Sequence, residues 1–477
     1  NIPPPADPAL DSVHLQTTLP ELAGRVPDVL NRYQLDVSIT PEQLSFQGNL
    51  VLDYTNLEST ALGTLFFRLL PNGQRSYGNG SLSVDNVQVN GENQAVNLSL
   101  EDTILEVTLD PALEPGASAT IAMNFQGEVP EDFGGEDSGG YGIFNFSAEV
   151  MALASWYPIL AVYDEAGWHL DPVSYIGDSV YSDMADYEVE IELPADQVLV
   201  STGVARQTGA GGDRQLLVVE SGPVRDFFMI LSPRFRSLQS RFGGTRVNSY
   251  YLPGHENGGQ RALEVAVLSI ETFNRQFGAY PYTELDVVDA PMQNAGGVEY
   301  PGIVLVGDSQ YTDYNETGFA VTTAHEVAHQ WWYNLVGNDV FAEPWLDEAL
   351  ASYTSGIYLE AAQGKPALDG LMSHYQERYQ RSLDSSGDHP INESLAYFES
   401  QTNPNAYGGI VYAKGALFFD AVRQEIGDEA FFAAMRSYFD TYRYGIAAGK
   451  DLLAAFEAAA GRPLAELFQT WNVASQP

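Results

Sequence analysis

Two histidines separated by three residues form the clearest chemical pattern in the chain. In the stretch HEVAH, His325 and His329 lie one turn apart if the segment is helical, so both imidazoles face the same side. Two neutral imidazoles suit Zn²⁺, and Glu326 beside them can reach a water on the metal without ligating the metal. The pattern predicts a zinc site with Glu326 as general base. The simpler alternative is a helix whose histidines only pack or pair with Glu326.

A third protein ligand is needed, because a catalytic zinc usually has three and keeps a fourth position for water. We expect the first helix to end near Gly337-Asn338, since both residues favour helix C-termini. Pro344 is well placed to open the next helix. Glu348 comes about one turn into that helix, and eighteen residues separate it from His329. A tight connection that folds the second helix back beside the first would make Glu348 the third ligand.

These residues resemble the signature of the gluzincin aminopeptidases, the family that includes aminopeptidase N and leukotriene hydrolase. There, HExxH is followed after eighteen residues by a glutamate, usually within WLNEG; here the stretch is WLDEA. The resemblance implies a thermolysin-like domain with zinc on His325, His329 and Glu348 and with Glu326 as base. It covers nearly the whole chain but not the family's large helical C-terminal domain, so we expect an open cleft that accepts longer peptides.

The family's second signature is GAMEN followed by a glycine, on an edge strand of the catalytic domain. The matching stretch here is GGVEYPG, which begins at Gly296 and Gly297 and carries Glu299. Flanking glycines let a peptide approach the backbone and pair as an added strand. The resemblance assigns to Glu299 the capture of the substrate's free ammonium group. Without the zinc motif, Glu299 would be interpreted as a solvated strand carboxylate.

Three further residues follow from the same resemblance. Tyr412 stands before a Lys-Gly pair, where family members have a tyrosine that stabilises the tetrahedral oxyanion. Tyr407, five residues earlier, matches a second tyrosine of some members. Glu149, nine positions before Pro158, corresponds to a glutamine that lines the amine site. On composition alone Tyr412 would be a core or surface residue.

The elements that must position these residues divide the chain in two. Alternating apolar and polar residues indicate strands through the first half, with Asn90-Gly91 as a hairpin turn. After Tyr311 the apolar spacing becomes helical. We predict an α+β multi-domain protein: an extended segment at 1–30, an all-β sandwich or saddle domain at 31–243, and a thermolysin-like, mainly helical zinc metallopeptidase domain at 244–477. The acidic glycine loop at 131–142 is expected to be solvated and mobile, with a lid or a calcium loop as alternatives.

Composition excludes several classes of function. The formal net charge of -42 disfavours nucleic acid and anionic membrane surfaces as partners. The chain has no cysteine, which excludes disulfides and thiolate ligands. No apolar run is long enough for membrane insertion. The proline-rich opening is typical of a linker behind a removed leader, with an artificial cut in the chain as the alternative; we expect export to the periplasm, cell surface or exterior.

The sequence therefore predicts a zinc metallo-aminopeptidase that takes peptides with a free N-terminus. Two alternatives stay open. A thermolysin-like endopeptidase would use the same zinc chemistry without an amine anchor. A catalytically silent binding protein could share the fold, although such proteins typically lose metal ligands or the base, and all four residues are kept here.

Overall fold

The computed structural model describes residues 17–134, 140–177, 180–312, 315–403 and 405–473. Strands fill the first half, as the alternation predicts. In chain order they are β1 (Asn31–Thr40), β2 (Ser45–Thr55), β3 (Leu62–Arg68), β4 (Ser81–Val89), β5 (Glu92–Asn93), β6 (Val96–Ser99), β7 (Ile104–Leu113), β8 (Ser118–Glu128), β9 (Phe144–Ser147), β10 (Val150–Leu153), β11 (Ile159–Leu160), β12 (Tyr163–Asp164), β13 (Gly167–Trp168), β14 (Ala185–Pro194), β15 (Val198–Ser201), β16 (Val204–Gly211), β17 (Arg214–Val224), β18 (Met229–Ser232), β19 (Arg236–Phe242), β20 (Thr245–Tyr251), β21 (Glu284–Ala290), β22 (Gly297–Tyr300) and β23 (Ile303–Gly307).

Helices dominate after the last strand. They are α1 (Gln74–Tyr77), α2 (Glu256–Gln276), α3 (Asp308–Thr312), α4 (Glu316–Ala328), α5 (Trp345–Gln363), α6 (Lys365–Ser386), α7 (Leu395–Glu399), α8 (Gly415–Ile426), α9 (Asp428–Tyr442), α10 (Gly449–Ala460) and α11 (Ala465–Thr470). A π-helical segment, Gly408–Lys414, leads directly into α8. No helix of the described ranges has the length and apolar character needed to cross a membrane.

The first half forms a β domain built on an eight-stranded sheet. Its order is β16-β17-β14-β1-β2-β8-β4-β5, with β1 and β14 parallel and the other pairs antiparallel. Two four-stranded sheets, β15-β18-β10-β9 and β11-β3-β7-β6, and the two-stranded sheet β12-β13 complete the domain. Asn90 and Gly91 both have positive φ and join β4 to β5, so the predicted hairpin turn is confirmed.

An aromatic cluster forms the centre of the β domain. Trp156 is fully buried and packs edge-on against Tyr157, Phe46 and Phe227. Its indole N–H donates to the Phe227 carbonyl at 3.0 Å, which satisfies its buried donor. The predicted N-terminal β domain is therefore confirmed, and its buried residues are continuous with the core of the helical half.

A second sheet carries the edge strand predicted to bind substrate. Its order is β19-β20-β21-β23-β22, with β20, β21 and β23 parallel and both outer strands antiparallel to their neighbours. Strand β23 is continuously apolar, as strands covered on both faces are, whereas its buried neighbour β21 also carries Glu284, Asp286 and Asp289. The boundary predicted near Gly243 falls in the turn between β19 and β20, so this sheet begins at Arg236. The loop predicted at 131–142 lies partly outside the described residues.

Helix α4 ends earlier than the sequence predicts. We expected it to continue to about Gly337, but its last residue is Ala328 and His329 is its C-cap. From Asn334 to Val336 the backbone hydrogen bonds span five residues instead of the four of an α-helix. The Asn334 N–H donates to the His329 carbonyl and the Val336 N–H to the Trp331 carbonyl, both at 3.0 Å. The reason is tertiary: Trp331 and Trp332 turn inward, where both are fully buried against aromatic rings of the core.

Candidate active site

Two helices bring the predicted metal ligands together. Helix α4 is started by Asn315, whose side chain accepts a hydrogen bond from the Gly318 N–H at 3.0 Å, and it delivers His325 in its last turn. His329 follows as the capping residue. Pro344 precedes α5, as predicted, and Glu348 stands in the first turn of that helix. The helix pair therefore has the folded-back arrangement that the spacing predicts.

The three ligand atoms stand at the separations that a tetrahedral zinc site requires. The His325 Nε2 atom lies 3.2 Å from the His329 Nε2 atom and 3.1 Å from the Glu348 Oε2 atom. His329 Nε2 and Glu348 Oε2 are 3.5 Å apart. Bonds of about 2.0–2.1 Å to a tetrahedral zinc place neighbouring ligand atoms about 3.3 Å apart. The donor set of two imidazoles and one carboxylate fits Zn²⁺.

Groups behind the ligands fix their orientation. The His329 Nδ1 atom lies 3.1 Å from the Trp332 carbonyl oxygen, a contact that places the proton on Nδ1 and leaves Nε2 for the metal. The Tyr412 hydroxyl donates to the Glu348 Oε1 atom, so Oε2 is the oxygen that faces the histidines. The early end of α4 supplies the Trp332 carbonyl, because that oxygen no longer has a helical partner.

Three carboxylates are buried together at this site. Glu299, Glu326 and Glu348 are each about 5% exposed or less, and buried carboxylates require cationic partners. Burial opposes ionisation of Glu348, but its hydrogen bonds with the two histidines outweigh burial and hold its pKa well below the usual range. Burial lowers the pKa of His325, which favours the neutral, ligating imidazole. Burial also disfavours a charged His329, but the neighbouring carboxylates outweigh it and raise its pKa.

Glu326 packs against the backbone of the edge strand. A Cβ atom added to Gly297 would lie 2.5 Å from the Glu326 Oε1 atom and 2.7 Å from its Cδ atom. No side chain larger than hydrogen fits at position 297 with Glu326 in this place. The glycine therefore has a function that the resemblance did not supply: it lets the base lie against the strand that carries Glu299.

Gln330, which follows the metal-binding helix, is hydrogen-bonded to this edge strand. The Gln330 side chain donates to the Tyr300 carbonyl at 2.9 Å and accepts from the Gly302 N–H at 2.8 Å. These two bonds hold the end of β22 beside His329, and the Glu299 Oε1 atom lies 3.6 Å from the His329 Nδ1 atom. The sequence prediction did not single out Gln330; its place directly after HExxH, and before two buried tryptophans, was the available signal.

A cleft of about 370 Å³ joins most of the predicted residues. Its lining includes Gly296, Gly297, Glu299, His325, Glu326, Glu348, Tyr407 and Tyr412. Tyr407 packs edge-on against Tyr412, with ring centroids 5.5 Å apart, and Tyr412 stacks over His325 at 5.9 Å. The lysine after Tyr412 points elsewhere: Lys414 is buried and donates to Asp388 and to the His389 carbonyl, both at 2.7 Å.

The predicted first-domain residue Glu149 lies outside this cleft. Together with Ala148 it forms the turn between β9 and β10, where both residues have positive φ. Its side chain is 65% exposed and lies 3.7 Å from Arg234. The residue nine positions before Pro158 thus lies in a hairpin turn, and the structure does not bring Glu149 to the amine site. Tyr141 is the residue that lines the cleft from this part of the chain.

The sequence prediction also missed Arg378, on α6. Among the described residues that line the cleft, it is the only arginine or lysine. Tyr375, three residues earlier on the same helix, lines the cleft beside it. An i, i+3 pair of an aromatic residue and an arginine on one helix face was the available signal, but helical arginines are usually solvated.

Comparisons with known proteins agree with this architecture. Residues 261–471 match the model of the peptidase family M1 domain. Aminopeptidase M1-B of rice (Oryza sativa subsp. japonica) is 30% identical over 301 residues, which are 60% of this chain and 34% of the rice protein. Puromycin-sensitive aminopeptidase of Caenorhabditis elegans is 24% identical over 475 residues, 94% of this chain and 47% of that protein.

The same fold is present in solved structures. The crystal structure of an M1 zinc metallopeptidase from Deinococcus radiodurans superposes with a TM-score of 0.69 over 94% of each chain, at 19% identity. The chain spans less than half the length of the two curated relatives named above. Residues 261–471, which hold the two-helix ligand set, are therefore similar to the peptidase family M1 domain, and the fold as a whole is that of a solved M1 zinc metallopeptidase.

Proposed function

We propose that this protein is a zinc-dependent aminopeptidase. The observation that carries the proposal is the grouping of three buried carboxylates in one cleft, two at the metal site and Glu299 on the edge strand. A divalent cation and one substrate ammonium together balance three negative charges. The α-ammonium of a peptide supplies the second cation, and its capture at Glu299 limits cleavage to the first peptide bond. The names of the two curated relatives, both aminopeptidases, support the same activity.

Each side chain has a separate task in this reaction. Zinc bound by His325, His329 and Glu348 would polarise the peptide carbonyl and lower the pKa of a water. Glu326 accepts the proton of the attacking water and transfers it to the leaving amine. The Tyr412 hydroxyl changes its hydrogen bond from Glu348 to the oxyanion.

Edge strand β22 positions the peptide for these reaction steps. Its outer side is not paired by another described strand, and the flanking glycines allow a peptide backbone to lie close to it. Glu299 on this strand then sets the register of the peptide, because its carboxylate accepts hydrogen bonds from the terminal ammonium. The endopeptidase alternative lacks this constraint.

A panel of matched peptides tests the proposal. Alanyl peptides with a free N-terminus are compared with N-acetylated copies, using enzyme as purified, enzyme treated with a chelator, and enzyme restored with zinc. We expect cleavage of the free peptides alone, loss of cleavage on chelation, and recovery with zinc. Cleavage of the acetylated peptides at internal bonds would identify an endopeptidase instead.

Replacement of the base separates an enzyme from a silent binding protein. E326Q keeps the size of the side chain but cannot accept a proton, so we expect stoichiometric zinc and a loss of kcat of about 10²–10⁴-fold. If the unmodified protein binds zinc and cleaves no peptide, the silent binding protein is the correct alternative.

A further inference from the structure

We propose that Arg378 recognises the free α-carboxylate of short peptide substrates, so that dipeptides are preferred over their C-terminal amides. This inference rests on the proposed aminopeptidase activity and specifies which substrates the same cleft takes. It starts from the position of one guanidinium group on α6, which lines the cleft together with the metal ligands His325 and Glu348.

In the order of contacts through the site, the metal ligands separate Arg378 from Glu299. The contacts run in order through the site: Glu299 lies 3.6 Å from His329, His329 Nε2 lies 3.5 Å from Glu348, and Glu348 accepts from Tyr412. The Arg378 guanidinium carbon is 5.8 Å from the centroid of the Tyr412 ring. In the proposed arrangement, a peptide with its ammonium at Glu299 and its first carbonyl at the metal extends its leaving residue toward Arg378.

A dipeptide is the shortest substrate that carries both an ammonium for Glu299 and a carboxylate for Arg378. Each extended residue adds about 3.3–3.6 Å, so the carboxylate of a dipeptide ends about 7 Å from its amino nitrogen. That carboxylate belongs to the leaving residue, one residue beyond the carbonyl under attack. Arg378 is the one arginine or lysine among the described residues of the cleft that could pair with it.

The Arg378 guanidinium contacts the Tyr412 ring but has no anionic partner among the described residues. Within the described part of the chain, no carboxylate lies within ion-pair distance of Arg378 and no hydrogen bond engages it. By contrast, buried Arg423 contacts both Glu360 and Asp428. An arginine that lacks a carboxylate stands out in a chain with 64 acidic residues and 22 basic ones.

The local backbone leaves room for this side chain. A Cβ atom added to Gly408, at the start of the π-helical segment, would lie 2.4 Å from the Arg378 Nη2 atom. The glycine therefore permits the guanidinium to lie against the segment that carries Tyr412. Arginine suits a carboxylate because its planar fork can donate two parallel hydrogen bonds.

Charge balance in the cleft points to the same ligand. Zinc and the substrate ammonium balance the three buried carboxylates, which leaves the positive charge of Arg378 for another anion. The protein's net charge of -42 repels free carboxylates at long range, so recognition of one requires a local cation. A substrate carboxylate at Arg378 meets that requirement.

The first test compares Ala-Ala with alanyl-alaninamide as substrates. We expect the unmodified enzyme to favour the free acid in kcat/KM by about 10-fold or more. R378Q should bring the ratio of the two kcat/KM values to about 1, and R378K should retain part of the preference because it keeps the charge without the fork. R381Q is the matched control: it removes one exposed charge from the same helix and should keep the ratio of the unmodified enzyme.

The second test measures binding without turnover. Zinc-loaded E326Q and the double variant E326Q/R378Q are titrated with the same two peptides by calorimetry. We expect E326Q to bind the acid more tightly than the amide and the double variant to bind both alike.

The outcomes separate this inference from the proposed function. Equal use of acid and amide by the unmodified enzyme would overturn the role of Arg378 and leave the aminopeptidase activity standing. Equal losses on both substrates in R378Q would also overturn it, because Arg378 would then act through Tyr412. Hydrolysis of neither peptide, together with tighter binding of the acid to E326Q, would retain the carboxylate site and refute the aminopeptidase.

Discussion

A single methyl group at position 297 should displace the catalytic base while leaving the fold intact. In G297A the new Cβ would meet the Glu326 Oε1 atom at 2.5 Å and its Cδ and Cγ atoms at 2.7 Å. Carbon atoms in contact are normally about 3.5–4.0 Å apart. The glutamate side chain must therefore retreat by about 1 Å. Backbone strain is not the issue, because Gly297 has no positive φ.

The structure indicates how large the effect should be. A misplacement of about 1 Å in a catalytic group lowers the rate about 100-fold, which corresponds to about 2.7 kcal/mol of transition-state stabilisation. Stability should change little, because the atoms that must move belong to the end of a flexible side chain. The three atoms nearest to the new methyl group all belong to Glu326, which is not a zinc ligand, so metal content should stay at one ion per chain.

The assay is the kcat/KM for an alanyl anilide, with zinc content and the thermal midpoint of unfolding measured on the same sample. G296A is the matched control: its Cβ would lie 3.3 Å from the Gln310 Nε2 atom and 3.6 Å from Thr322, so we expect a much smaller loss of less than about 5-fold. Full activity in G297A, or an equal loss in both variants, would refute the argument that Gly297 makes room for the base.

Three further predictions concern other parts of the molecule. Y412F, which removes the hydroxyl that donates to the metal ligand, should lower kcat by about 10²–10³-fold with zinc retained, as measured by steady-state kinetics and metal analysis. R225M should lower the free energy of unfolding in urea by about 3–5 kcal/mol, because buried Arg225 donates to backbone carbonyls on both sides of the domain interface, among them Tyr333 at 2.7 Å. Burial raises the pKa of Asp286, so the folded state binds the carboxyl proton more tightly than the unfolded state does. The free energy of unfolding should therefore fall as pH rises above 3.8, the ordinary pKa of the group. D286N should flatten this fall in urea titrations from pH 4 to 8.

Controls make these three results decisive. R236Q removes an exposed arginine from a surface ion pair and should change the free energy of unfolding by less than about 1 kcal/mol. An equal loss in R225M and R236Q would show that the interface bonds of Arg225 contribute little. An unaltered kcat in Y412F would show that the hydroxyl has no role in catalysis. Parallel plots of unfolding free energy against pH for D286N and the unmodified protein would show that the pKa of Asp286 does not change on folding.

The chemistry of the metal site could be predicted from the sequence because it depends on local spacing. Four residues along a helix place His325 and His329 on one side, and Glu348 needs only a second helix folded back on the first. Strand alternation likewise predicted the β domain, since a strand with one buried face repeats every two residues. Both patterns depend only on residues that are close together in the sequence.

Tertiary contacts decided the features that the sequence did not determine. Helix α4 stops at Ala328 because Trp331 and Trp332 are drawn into the core, and that stop frees the carbonyl that orients His329. Glu149 was assigned to the amine site from its spacing to Pro158, but it lies in a hairpin turn with its side chain exposed.

The roles of Gly297 and Arg378 also depend on tertiary structure. Each arises from a close approach between segments that lie far apart in the chain: Gly297 against Glu326, and Arg378 against the segment that carries Tyr412. The sequence alone determined which groups could bind zinc and move a proton, because residue type and periodicity fix that chemistry. Packing between distant segments decided where the base lies and which cation faces the leaving residue, and no local pattern records such packing.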